Sequence, residues 1–110
     1  MPVYTRKSEN IIPDVICIWD FCHAKYYKGL VEWRHTRTPN HAVLHVHSYE
    51  AVESALREFK QDCRTNGYKQ IAIYYPNNMV AMNPEYIKRI IVSMFNGPAF
   101  EVELWSKGAS

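Results

Sequence analysis

The chain has 110 residues, 47% of them hydrophobic and 22% charged, with a formal net charge of +2. That length allows one domain, residues 1–110, around a single core and excludes a two-domain enzyme. The balanced charge excludes binding of nucleic acid by bulk electrostatics, so any basic site must be local.

The N-terminal "MPVYTRKSENIIPDV" has no apolar signal core, and no apolar run is long enough to span a bilayer. A cytoplasmic address with no membrane partner is therefore expected. "VICIW" (15–19) follows Pro13-Asp14 and reads as a short buried strand. "KGLVEWRH" (28–35) and "HAVLHVHS" (41–48) flank "TRTPN", whose Pro39-Asn40 reads as a turn, so the two segments form a hairpin. Ser48 and Glu50 then open a helix with Val52, Ala55, Leu56, Phe59 and Cys63 on one stripe, and Asn66-Gly67 stops it. "YKQIAIYY" (68–75) is a strand ended by Pro76. Asn83 as N-cap and Pro84 in the first helical position start a second helix. It buries Ile87, Ile90, Ile91 and Met94 and stops at Asn96-Gly97-Pro98. "AFEVELW" (99–105) alternates as the last strand.

From residue 41 onward the order is strand, helix, strand, helix, strand, and crossovers that march in one direction put both helices on the same face. Alternation leaves the opposite side of these strands more polar than a doubly covered parallel sheet allows. The expected fold is an α/β (α+β) two-layer sandwich. A mixed sheet of about five strands holds an N-terminal hairpin followed by β-α-β-α-β, with two helices on one face and the other face open.

The alternation also puts His45, His47, Tyr74, Glu101 and Glu103 on the open face. Imidazoles and carboxylates on adjacent strands can hold a divalent metal or exchange a proton. The same pattern suits polar residues on the wet side of a half-buried strand, which bind nothing. Cys17, Cys22 and Cys63 form an odd set without the C-x-x-C spacing of a strong zinc site, and Cys17 and Cys63 lie in apolar patterns as small buried hydrophobes. No cofactor is expected from these residues.

The His-hydrophobic-His stretch "LHVHS" resembles the core motif of the HUH nucleases, which nick single-stranded DNA with a histidine-bound metal and a tyrosine nucleophile. That resemblance implies His45 and His47, with Glu101 and Glu103, as ligands of a divalent metal. It also implies Tyr86 and Lys88, in "PEYIKR", as the catalytic pair, although their spacing is one residue shorter than the family's.

Residues 21–37, "FCHAKYYKGLVEWRHTR", interleave cations with flat rings. Lys25, Lys28, Arg34 and Arg37 suit phosphates, while Tyr26, Tyr27 and Trp33 suit stacking on bases. The competing reading puts Trp33 in the core and the cations on a solvated rim. Asp20, at the end of the first strand, is either a catalytic carboxylate or a turn cap. No G-x-G-x-x-G, P-loop, G-x-S-x-G or H-E-x-x-H is present. The expectation is a small non-enzymatic binding protein that engages nucleic acid or a nucleotide phosphate through Lys25–Arg37, Tyr74 and the open sheet face. The alternatives are an adaptor or inhibitor that docks on a protein partner through that face and the 76–83 loop, and the metal-dependent nuclease.

Overall fold

In the computed structural model the described residues are 3–6 (backbone only), 13–21, 31–34, 40–74 and 83–105. They form strands β1 (Val3–Arg6), β2 (Val15–Asp20), β3 (Val31–Arg34) and β4 (Asn40–His45), helix α1 (Tyr49–Asn66), strand β5 (Gln70–Tyr74), helix α2 (Pro84–Met94) and strand β6 (Glu101–Trp105). The helix ends follow from their sequences. Ser48 is extended at φ −153°, and its hydroxyl accepts the Ala51 N–H at 3.2 Å. Gly67 ends α1 at φ 73°, a left-handed conformation that costs glycine little. Asn83 accepts the Glu85 N–H at 3.0 Å ahead of Pro84. The far end of α2 has no basic residue of its own, and the Lys60 ammonium donates to the Met94 carbonyl at 2.6 Å from the neighbouring helix.

The sheet order is β1-β6-β5-β2-β4-β3, with every pairing parallel except β3 with β4. The expected hairpin is present, with Val31 opposite Leu44 and Arg34 opposite His41. The five strands read from the sequence are joined by β1, which pairs with β6 from Val3 opposite Val102 to Arg6 opposite Trp105. "VYTR" is too short to show a period, so nothing local marks it as a strand.

Both helices pack on one face of the sheet, giving a two-layer α/β sandwich. Val52, Ala55, Leu56, Phe59 and Cys63 of α1 and Ile87 and Ile91 of α2 share one buried cluster with Val15, Cys17, Leu44, Ile73 and Leu104. Each fully buried Leu, Ile or Phe here stabilises the fold by roughly 1.5–3 kcal/mol relative to exposure. Trp33 belongs to this layer. Its ring stacks on Phe59 at 5.7 Å, and its indole N–H donates to Asp62 Oδ2 at 2.8 Å, tying the edge strand to α1.

The second face carries no helix among the described residues, yet polar does not mean wet there. Val43, Ala72 and Trp105 are buried, and His45 and Glu103 are only 2% and 3% exposed. Alternation of polarity equals alternation of exposure only while polar groups need water. His45 and Glu103 find protein partners instead.

Candidate functional site

The connections leaving β2 and β5 run in opposite directions: β2 leads toward β3 and β4, and β5 leads toward β6 at the other side. These two strands are neighbours, so their carboxyl ends form a topological switch point, where open α/β sheets leave a crevice. β2 and β4 are in register over six residues, Val15–Asn40 to Asp20–His45. Among the described residues β2 and β5 pair from Val15–Ile71 to Cys17–Ile73.

Aromatic rings line this crest. Trp19 and Phe21 stack at 5.6 Å with planes 8° apart, and the Trp19 indole N–H donates to the Tyr74 carbonyl at 2.8 Å, bracing the two strand ends. Across β5, the Tyr74 ring meets Trp105 edge to face at 5.8 Å. The Trp105 indole donates to Glu103 at 2.9 Å, which explains how a carboxylate sits buried on that face.

On the other side of β2, His45 is clamped. Its Nδ1 lies 2.7 Å from Asp20 Oδ2 and its Nε2 lies 2.9 Å from Glu32 Oε1. The first contact follows from register, since Asp20 and His45 are cross-strand partners on one face. The second crosses the β3–β4 hairpin. The two contacts are both donor-to-acceptor when both ring nitrogens carry protons and both carboxylates are ionised. The Arg34 guanidinium, 3.0 Å from Glu32, followed by the His45 ring, holds the Glu32 carboxyl below its ordinary range. Arg34, Glu32, His45 and Asp20 thus run as a chain of polar contacts from the sheet edge to the crest.

The residues expected to form sites fall in several places. Lys25, Tyr26, Tyr27, Lys28 and Arg37 lie outside the described residues, as does the loop ahead of Asn83. Trp33 and Arg34 are consecutive on β3, so their side chains leave on opposite faces, Trp33 into the core and Arg34 toward Glu32. They do not share a surface. Tyr74 stands at the crest.

The histidines and glutamates named for a metal are not brought together. β4 ends at His45, and His47 follows in a bend and is exposed. Between β4 and β6 lie β2 and β5, so Glu101 and Glu103 are three strand spacings from His45, about 14 Å across the sheet, and the register sets them several residues further along it. Glu101 accepts instead from Gln70 at 3.1 Å. Tyr86 and Lys88 stand on α2, in the helix layer, with the sheet between them and His45. Among the described residues no group of three or more His, Cys, Asp or Glu side chains is placed to hold a metal ion. Cys17 and Cys63 are buried in the core. Burial pushes the Cys17 thiol well up and the Cys63 thiol to about 12, so neither supplies a thiolate near neutrality.

Reading the sequence missed the partnership of Trp19 with Phe21 and of Glu32 with His45. Only strand order and register place these pairs together, and neither is written locally. Among the described residues no helix is long and apolar enough to cross a membrane.

No protein-family model matches the chain, and no curated protein sequence matches it. Among solved structures, the fold is similar to that of the macrodomain of Thermus aquaticus DarG, with a TM-score of 0.68 at 10% sequence identity, covering 94% of this chain and 97% of that one. At that identity the likeness lies in the path of the backbone: this chain has a macrodomain-like α/β fold.

Proposed function

We propose that this protein is a small nucleotide-phosphate-binding domain whose ligand sits at the crest between the carboxyl ends of β2 and β5. The observation that carries this reading is the topological switch point itself, where the neighbouring strands β2 and β5 send their connections to opposite sides of the sheet. The strand ends there carry flat rings at Trp19, Phe21 and Tyr74 and the Asp20 carboxylate. Rings offer stacking to a base, and carboxylate oxygens accept from hydroxyl and amino groups. The macrodomain-like fold supports the choice of crest, since it is the same backbone arrangement.

In this reading the phosphates take their cations from Lys25 and Lys28, which follow Phe21 in the chain, and from Arg37. Tyr26 and Tyr27 extend the aromatic border. Arg34 contributes indirectly, through Glu32 and His45. The domain binds and positions its ligand, and the proposal involves no metal.

Titration calorimetry with AMP, ADP and ADP-ribose, against ribose 5-phosphate and inorganic phosphate, tests it. A nucleotide should give saturable heat that the two base-free compounds do not match. Phe21→Ala should weaken that binding about fivefold or more, the loss of one stacking contact. Absence of saturable heat with every nucleotide at millimolar concentration, or full affinity in Phe21→Ala, would refute the crest as the site.

A further inference from the structure

The helix layer carries a second feature, on the side of the molecule away from His45. Glu53, Arg57 and Lys60 form one stripe of α1 and face the Tyr86–Met94 stripe of α2 across a groove of about 570 Å³. Three cations line it, Arg57, Lys60 and Arg89, against one carboxylate, Glu53. Lys60 is fixed by its bond to the Met94 carbonyl, so its charge is held at the groove floor. Arg57 pairs with Glu53 at 2.8 Å, but both side chains are more than half exposed, and such a pair holds weakly. Arg89 is exposed and has no hydrogen-bond or ion-pair partner among the described residues.

One end of this groove is aromatic. Tyr86 is 42% exposed and meets Tyr49, 39% exposed, edge to face at 4.8 Å. The Tyr49 hydroxyl accepts the Asn83 N–H at 2.6 Å, which pins the pair between the two helix starts. The pair stands at the surface rather than folding inward. Glu50 and Glu85 stand in the first turns beside the tyrosines. The groove lining therefore combines one exposed ring, Tyr86, with three cations and a single carboxylate, Glu53.

We propose that this groove is a docking channel for single-stranded nucleic acid, separate from the crest. Phosphates run along Arg57, Lys60 and Arg89, and a base stacks on the exposed face of Tyr86. This combination of a cationic track with a stacking ring is how single strands are held without reading sequence. An acidic peptide would meet the cations equally well but would leave the stacking ring of Tyr86 without a flat partner.

Fluorescence anisotropy with a labelled single-stranded 12-mer, over a series of salt concentrations, tests the proposal on the full chain. Arg57→Ala and Arg89→Ala should each weaken binding and reduce the slope of log affinity against log salt by about 0.7, one phosphate contact each. Tyr86→Ala should weaken binding about fivefold or more, while Phe21→Ala at the crest leaves it unchanged. Excess mononucleotide should not displace the oligonucleotide. All four side chains are exposed or at the rim of the core, and circular dichroism checks that each variant folds. Failure of the wild type to bind at low salt overturns the proposal. So does binding indifferent to Arg57→Ala and Arg89→Ala. Equal binding of a poly-glutamate peptide, with Tyr86→Ala neutral, would assign the groove to an acidic protein partner instead and also overturn it.

Discussion

Replacing His45 with alanine tests the clamp at the crest most directly. The imidazole is 2% exposed and makes contacts of 2.7 and 2.9 Å to two carboxylates. A hydrogen bond involving a charged group contributes roughly 1.5–3 kcal/mol. The Asp20 contact, with an 18% exposed partner, should keep most of that. Glu32 is 33% exposed and can regain water, so its contact should contribute about 1 kcal/mol or less. The variant also brings two carboxylates to face each other with no donor between them. The sum is a loss of about 3 kcal/mol, or roughly 12 °C in Tm for a domain near 100 residues. Urea unfolding followed by tryptophan fluorescence measures it as a shift in midpoint at constant slope. Arg34→Ala, at the exposed end of the same chain of contacts, serves as control and should cost about 1 kcal/mol or less. A double-mutant cycle with Asp20→Ala should return a coupling above about 1 kcal/mol. Should His45→Ala unfold within about 0.5 kcal/mol of wild type, or the cycle prove additive, His45 is a passive occupant of the second face and the clamp is not a stabilising element.

Two further outcomes follow from the same geometry. Trp33→Phe should lower stability by about 1–2 kcal/mol by leaving Asp62 without its donor, and should leave nucleotide affinity unchanged because the ring faces the core; weakened binding with intact stability would place Trp33 at the ligand after all. The Glu32 carboxyl titrates lower in the folded chain than its ordinary value of about 4.3, so its contribution is present above that pH and is lost as pH falls through the lowered value. The difference in urea midpoint between wild type and Glu32→Gln should thus be constant above about pH 5 and shrink below about pH 4. A difference that stays constant to pH 3 would refute the pairing.

The histidines of residues 41–48 show where local reading stops. "HAVLHVHS" was legible as a strand, and alternation correctly set His45 on the face away from the helices. Exposure was not legible. A histidine at that position looks the same in sequence whether it meets water or two carboxylates, because the partners come from β2 and β3, 25 and 13 residues away. The strand also stops at His45, where Val46 N–H turns to the Asp20 carbonyl at 3.0 Å, and His47 loses the shared face with it. For the same reason Glu101 and Glu103 looked like neighbours of His45 on a face-by-face reading, yet β2 and β5 separate them. Trp33 illustrates the reverse. Its place among cations suggested a binding surface, but its parity on β3 sends it to Phe59 and Asp62 while Arg34 goes the other way.

What the sequence determined alone is the set of elements with local signals. Both helices were set by their caps and apolar stripes, from Ser48 to Gly67 and from Asn83 onward, because a cap and a 3.6-residue period are complete within one segment. The hairpin, the strands at 70–74 and 101–105, and the placement of both helices on one face were likewise available, since turn residues, alternation and crossover handedness need no distant partner. Tertiary structure decided the order of strands, the addition of β1 at the edge, the switch point between β2 and β5, and the burial of His45 and Glu103. Those depend on which segments meet across tens of residues, and a hydrogen-bonded ladder accepts almost any side chain, so its pairing is fixed by the packing of the whole sheet and not by any one strand.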